Sequence, residues 1–291
     1  MAPPLFGVSI NQSAGPGADP VAEARGAEEL GFDFVSVTDH LHGTRPTHET
    51  WTLLTWIAAS TARVGLLTDV IGLPYRPPPV LAKMAASLDG LSGGRLTLGL
   101  GAGGLDEEFR GFGLPIRSPG EKIEALAEAI EVIRGMWTTP SFSYRGKHFH
   151  TESAELEPKP DRRIPIWLGT YGDRAVALTG RVADGWIPSY PYAPPEVAGP
   201  KMDRIRHAAE AVGRDPAELT FAYNIGVRVD EQATPRPGRM VSGGPDQVVE
   251  ALSGFARMGF TAFNLWPVGD AFEQQERLAR EVVPAVRAAS A

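Results

Sequence analysis

The stretch VGLLTDVIGLPYRPPPVLAKMAASLDGLSGGRLTLGLGAGG, residues 64–104, decides the fold. Val64–Val70 is an apolar, β-branched run too short for a helix, so it reads as a strand. Arg76–Pro79 closes a loop whose prolines sit where a helix can start. Pro79–Leu91 carries apolar residues at helical spacing, and Ser92-Gly93-Gly94 stops it, because glycine accepts the positive φ of a helix C-cap. Arg95–Leu100 is a second strand of buried type. Two strands joined by one helix make a parallel βαβ unit. Both strands end in residues suited to holding a ligand: Thr68-Asp69-Val70 and Gly101-Ala102-Gly103-Gly104.

Outward from this unit the alternation continues. Toward the N-terminus, strand Leu5–Ile10, helix Pro20–Leu30, strand Phe34–Thr38 and helix Glu49–Thr61 precede it. After it come a short helix at Asp106–Phe112 and a long amphipathic helix at Pro119–Trp137. Residues 141–155 break the pattern: FSYRGKHFH alternates around Arg145-Gly146, as a β-hairpin does. Strands at Ile164–Gly169, Gly185–Pro188, Leu219–Val229 and Thr261–Trp266 then alternate with helices at Asp173–Val182, Pro194–Val212, Pro245–Met258 and Ala271–Ala288. Residues 232–239 form a proline-rich loop. About eight strand–helix pairs without a linker predict one α/β domain over residues 1–291, a (β/α)8 barrel with a hairpin insertion at about 141–155. A doubly wound open sheet is the alternative, and the count of eight favours the barrel.

Composition narrows the function. With 291 residues, 43% of them hydrophobic, the chain can bury a large core. A net charge of −7 and the lack of a basic stripe argue against a nucleic-acid partner. Without cysteine there is no disulfide, thiolate nucleophile or cysteine metal site. No run approaches the ~18 apolar residues of a membrane span. The start, MAPPLFGVSI, lacks a basic region before an apolar run, so a cytoplasmic location is expected.

In a barrel the ligand site lies at the C-terminal ends of the strands. That rule selects Asn11, Asp39, His40, Thr68, Asp69, Val70, Gly101–Gly104, Thr170, Tyr171, Gly172, Ser189, Asn224 and Trp266. Asp39-His40 can hold a ring edge and shuttle a proton, since histidine titrates near neutrality; the bland reading is a capped loop. The run Gly99–Gly104 has the wrong spacing and context for a dinucleotide fingerprint. Its glycines more simply let a flat ring approach the backbone. Amides at Thr170-Tyr171-Gly172-Asp173 suit a phosphate at a helix N-terminus, or a plain cap. Asp106-Glu107-Glu108 opens a helix, where carboxylates favour the dipole; a catalytic acid is the competing reading. His148 and His150 read as solvated hairpin residues, and no metal site is expected. Trp51, Trp56 and Trp137 read as core. Trp186, Tyr190, Tyr192 and Trp266, at strand ends, suit a pocket lining.

Several stretches together resemble one family: SVTDH (36–40), residues 66–103 of the central unit, AIEVIRGMW (129–137), IPIWLGTYGDRAVALTGRVADGWIP (164–188) and FNLWPVGD (263–270). The chain resembles the bacterial luciferase-like oxidoreductases, in the branch that uses the deazaflavin coenzyme F420. The resemblance implies a barrel, a homodimer and a non-proline cis peptide at Asp69–Val70. There Thr68, Asp69 and Val70 would form a bulge behind the cofactor ring. Asp39 would contact the polar edge of the ring, and the backbone of Ala102 and Gly103 would lie along it. Thr170, Tyr171 and Gly172 would hold the phosphate. His40 would act as the catalytic base or orient the substrate. Relatives with a glutamate acid directly after the glycine-rich strand differ here, where Gly104 stands; Glu108 is the nearest acid. The activity implied is hydride transfer between the deazaflavin C5 and a small organic substrate, with a reductase supplying reduced cofactor. A reduced-FMN-dependent monooxygenase is the alternative, and a catalytically silent flavin-binding barrel the third reading.

Overall fold

The computed structural model describes residues 3–233, 236 and 238–290. Thr234, Pro235 and Pro237 of the proline-rich loop lie outside the described residues. Eight strands form the frame: Leu5–Ser9, Phe34–Val37, Gly65–Thr68, Leu96–Gly101, Ile166–Leu168, Gly185–Trp186, Thr220–Val229 and Ala262–Pro267, numbered one to eight below. Each pairs in parallel with the next, and the eighth pairs with the first, so the sheet closes on itself. A closed sheet has no exposed edge. The helices are α1 (Pro20–Glu29), α2 (Thr50–Ser60), α3 (Pro78–Leu91), α4 (Asp106–Gly111), α5 (Pro119–Thr138), α6 (Asp173–Val182), α7 (Pro195–Glu210), α8 (Pro245–Met258), α9 (Ala271–Arg277) and α10 (Val283–Ala289).

Local chemistry sets the boundaries. The Asp19 carboxylate accepts from the Ala22 amide at 2.9 Å and Pro20 opens α1. Ser118 and Glu121 form a capping box on α5. Gly259, at φ 108°, ends α8.

The barrel interior is layered with the two-residue period of the strands. Phe34, Leu67, Trp167, Ile187, Ala222 and Ala262 make one apolar cluster, and Val70 packs onto it. Two residues further along their strands stand Ser36, Asp69, Ser189, Asn224 and Asn264. An apolar plug is thus followed, toward the strand C-termini, by a polar layer.

The central unit differs from its sequence reading in one respect. The predicted strand Val64–Val70 stops at Thr68, the Asp69–Val70 peptide is cis, and Ile71–Gly72 pairs afresh with the end of the fourth strand. The bulge is seated on missing side chains. A Cβ at Gly99 would run into the Thr68 carbonyl oxygen, and Cβ atoms at Gly101 and Gly169 would meet Val70 at 2.9 and 3.1 Å. Gly99 and Gly101 therefore make room for the bulge itself, not for a ring.

Other differences have local causes. Val241–Gly243, which the sequence reading leaves unassigned between the proline-rich loop and α8, adds beside the seventh strand. The final helix is interrupted by a π turn at Leu278–Val282, next to Pro284, which has no N–H to continue the ladder. Phe142–Arg145 and His150–Ala154 pair antiparallel, but His148 is not solvated: its side chain is tucked against Glu124 at 3.4 Å. Trp56 is not core. It lies about 200° round α2 from Leu54 and is 67% exposed, whereas Trp51 and Trp137 are buried.

Gly99→Ala should destabilise the protein by about 3 kcal/mol in urea unfolding, because main chain cannot yield to the new methyl group. Gly104→Ala, with nothing within 4 Å of its Cβ position, should stay within about 0.5 kcal/mol of the parent.

Candidate functional site

The polar layer above the plug is a connected network. Ser36 Oγ donates to Asn264 Oδ1 at 2.9 Å, which fixes the orientation of that amide. Asn264 Nδ2 then donates to Asp69 Oδ2 at 3.0 Å and to Asn224 Oδ1 at 3.1 Å. Asn224 Nδ2 reaches Ser189 Oγ at 3.2 Å. The Tyr171 hydroxyl accepts from the Ser189 amide at 3.0 Å, so six strand ends are tied together. Asp69 is 8% exposed, and no lysine or arginine among the described residues pairs with it. Burial pushes its carboxyl up to about 7, opposed by hydrogen bonds from Trp266, Asn264 and Asn224 and by the His40 charge.

Asp39, the second buried acid, is in the opposite situation. Its Oδ2 accepts from the Gly72 amide and from Arg76 Nη1, both at 2.9 Å, and its Oδ1 accepts from Arg76 Nη2 at 3.1 Å. The pair is bidentate, and Arg76 also reaches Glu49, the N-cap of α2. Both Asp39 and Arg76 are buried. The Asp39 carboxylate thus clamps the chain that leaves the bulge at Gly72–Arg76, and a bound ring would meet it only beside this clamp. Arg76 is the functional residue that sequence reading missed; its signal was an arginine directly ahead of three prolines, in a loop read only as a helix entrance.

His40 stands at the open side. Its Nδ1 lies 2.9 Å from Glu108 Oε1, and the Tyr75 hydroxyl donates to Glu108 Oε2 at 2.8 Å. A carboxylate only accepts, so Nδ1 carries the hydrogen and Nε2 is left as the basic nitrogen. The His40 side chain is 58% exposed and that of Glu108 12%. The residues expected as base and acid are therefore hydrogen-bonded to each other, with Glu108 orienting the imidazole. Burial and the Glu108 carboxylate push the Tyr75 phenol up, so it stays a donor.

The remaining predicted residues divide. Val70 faces the plug, and Thr68 is fully buried with its hydroxyl bonded to the Gly99 carbonyl at 2.8 Å, so both support the bulge from behind. Gly103, at φ 88°, is pressed against Phe109 and Pro74, with Ala102 before it. Gly104 opens onto free space. Thr170 is buried, its hydroxyl on Thr179 at 2.8 Å, and offers no side chain to a ligand. Gly172 is exposed, and α6 has no side-chain cap, so the first amides of that helix lack partners. A groove of about 440 Å³ runs along the outside of α6 against α5, lined by Arg174, Arg181 and Arg204 and by Glu124 and Asp173, with Arg174 paired to Glu124 and Arg204 to Asp173. Among the described residues no cluster of histidine and acid groups could hold a metal ion.

Comparison with known proteins follows this geometry. Residues 2–235 match the family model described as luciferase-like monooxygenase. The chain is 32% identical over 212 residues to an F420-dependent glucose-6-phosphate dehydrogenase of Nakamurella multipartita, across 70% of this chain and 61% of that one. It therefore spans about three fifths of that relative's length. A protein of the same description from Microbacterium testaceum is 30% identical over 274 residues, across 91% of this chain and 76% of that one. Among solved structures, an F420-dependent secondary alcohol dehydrogenase in complex with an F420-acetone adduct superposes with a TM-score of 0.87 at 20% identity, covering 98% of this chain and 99% of that one.

Two buried acids set a pH dependence. Asp69 rises from 3.8 and Glu23, on the inner side of α1, from 4.5, each to about 7, through burial. The folded state holds the extra protons between those values, so stability is highest at the acid end and falls as pH rises through about 7. Asp69→Asn should remove its share: between pH 5 and 8 the variant should lose roughly 2 kcal/mol less than the parent in urea unfolding, leaving the part due to Glu23.

Proposed function

The chain belongs to the luciferase-like monooxygenase family, and from that premise we propose that it is an oxidoreductase that uses coenzyme F420 to exchange a hydride with a small organic substrate. A relative at 30% identity across nine tenths of the chain carries that dependence in its description. The single observation that supports it most is the seat at the third strand: a bulge pressed into Gly99, Gly101 and Gly169, with open space at Gly104 in front.

The residues present fit the group. The bulge offers a rigid backing, Gly104 leaves room for a planar ring, and the unpartnered amides at the start of α6 suit a phosphate-bearing tail. Asp69, Val70, Ala102, Gly103, Tyr171 and Gly172 would hold the cofactor through backbone and packing, while Thr68, Thr170 and Asp39 hold the segments that carry them. When bound, coenzyme F420 supplies a carbon that accepts or releases a hydride.

The chain's own part is proton handling and positioning. His40 Nε2 takes the proton from a substrate hydroxyl, or returns it to a carbonyl, as the hydride moves. Glu108 keeps the imidazole in the required tautomer and stabilises it when charged. Exposure of His40 lets the proton exchange with water. The Asp39–Arg76 clamp fixes the loop that follows the bulge, so the backing cannot drift from the base.

Setting and partners follow from the same reading. We assign the chain to the cytoplasm, with a reductase supplying reduced cofactor. No helix among the described residues is long and apolar enough to cross a membrane. Trp56 on α2 and Leu91 on α3 are 67% and 85% exposed, and a homodimer that covers these faces fits them. Light scattering should return twice the 31.2 kDa chain mass.

Fluorescence titration of the purified protein should show F420 binding and no tight FMN binding; the reverse result would make FMN the cofactor. His40→Ala should lower kcat/KM by about 10² to 10⁴. Glu108→Gln should lower it by a smaller factor and shift its pH profile. Unchanged kcat/KM in His40→Ala would take His40 out of the proton transfer, and no turnover by the parent with either cofactor would leave a binding barrel only.

A further inference from the structure

Two consecutive residues grip the chain on either side of His40. Tyr75 and Arg76 stand at the end of a 3₁₀ turn, Leu73–Tyr75, that directly follows Ile71–Gly72. Arg76 holds the carboxylate of Asp39, the residue before His40. The amide of Leu41, the residue after it, acts as a backbone donor to the Tyr75 hydroxyl. The same hydroxyl donates to Glu108 Oε2 at 2.8 Å, while Glu108 Oε1 lies 2.9 Å from His40 Nδ1. One oxygen therefore joins the main chain that carries the imidazole to the carboxylate that orients it.

Packing fixes the phenol in that place. A Cβ at Gly72 would stand 3.0 Å from Tyr75 Cδ2, so the ring lies close on the main chain there. Its other ring neighbours are Phe109 at 4.8 Å and, edge-on, Phe112 at 6.2 Å. Phe109 is buried and follows Glu108 directly on α4. The stack on Phe109 thus sets the distance between the hydroxyl and the carboxylate.

The hydroxyl also carries weight out of proportion to its size. Among the described residues no lysine or arginine pairs with Glu108, whose side chain is 12% exposed, and its donors are the His40 imidazole and the Tyr75 hydroxyl. Without the hydroxyl, Oε2 would be left unpartnered in a poorly hydrated place, which a carboxylate tolerates badly. Glu108 could then relax in two ways. If it turned toward water, the imidazole would sample both tautomers. If it took a proton, it would donate to Nδ1, and the imidazole hydrogen would move to Nε2. Both outcomes reduce the population in which Nε2 is the basic nitrogen.

Resting on the reading of His40 as the residue that handles the substrate proton, we infer that Tyr75 is its positioning residue: the Tyr75 hydroxyl, set between Glu108 and the Leu41 amide, keeps the imidazole hydrogen on Nδ1 and leaves Nε2 basic. Tyr75 acts through Glu108, and its ring alone does not suffice.

The test reads the tautomer directly, in the whole cofactor-free protein. The six histidines are labelled with 15N, and the His40 signal is assigned by its absence in His40→Gln. Spectra are recorded in alkaline solution, where a neutral ring shows which nitrogen bears hydrogen. In the parent, His40 should carry hydrogen on Nδ1. Tyr75→Phe keeps the ring against Phe109 and Phe112 and removes only the oxygen. It should shift the ratio of the two forms about tenfold toward Nε2–H, the factor carried by one hydrogen bond to a charged group. In a Glu108→Gln background the same substitution should produce no further shift, because the partner it acts through is gone. Affinity for F420, titrated by fluorescence, should match the parent in Tyr75→Phe. A parent that does not bind F420 defeats the cofactor reading, and the tautomer measurement still judges Tyr75. Hydrogen on Nε2 in the parent, an unchanged ratio in Tyr75→Phe, an equal shift without Glu108, or loss of F420 binding confined to Tyr75→Phe overturns the inference.

Discussion

The close approach between the bulge after the third strand and the glycines of its neighbours is the contact on which the rest depends. Val70 occupies the volume that side chains at Gly101 and Gly169 would fill, and the Thr68 carbonyl occupies that of Gly99. Dense packing leaves such a segment no alternative position. Because it is held there, Asp69 is directed into the barrel and Ile71–Gly72 is returned to the sheet. From that return the chain runs to Arg76, which reaches back to Asp39 on the adjacent strand end. Backing, acid and clamp are thus consequences of one packing decision.

Two aspartates less than one strand apart then take opposite electrostatic roles. Asp39 has a guanidinium and an amide, which stabilise its charge in a buried place. Asp69 has amide and indole donors but no lysine or arginine, so burial favours its neutral form. The difference arises from the partners that each strand end meets, and it assigns structure to one and proton capacity to the other.

Much of this was legible in the chain. Strand–helix alternation showed the eightfold frame, and the strand-end rule put Asp39, His40, Asp69, Asn224 and Trp266 at the mouth before any coordinates. The layer relation was present as well: Phe34/Ser36, Leu67/Asp69, Ile187/Ser189, Ala222/Asn224 and Ala262/Asn264 are each two residues apart. What could not be read was partnership across distance. Glu108 and His40 are separated by 68 residues and Arg76 and Asp39 by 37, and no periodicity links them. The split of the third strand was hidden because its residues keep an apolar pattern through the break. Trp56 was misread because an aromatic on a hydrophobic helix carries no mark of the face it occupies.

The barrel also sorts its work by chain region. The bulge, the base, its orienting carboxylate and the buried clamp all fall between residues 39 and 108. The exposed side chains of Tyr192 and Val268, by contrast, stand on short loops after the sixth and eighth strands, more than 80 residues later. Descendants of such a chain can exchange those late loops without disturbing the early half. One inherited frame can then take on unrelated small molecules by local replacement alone.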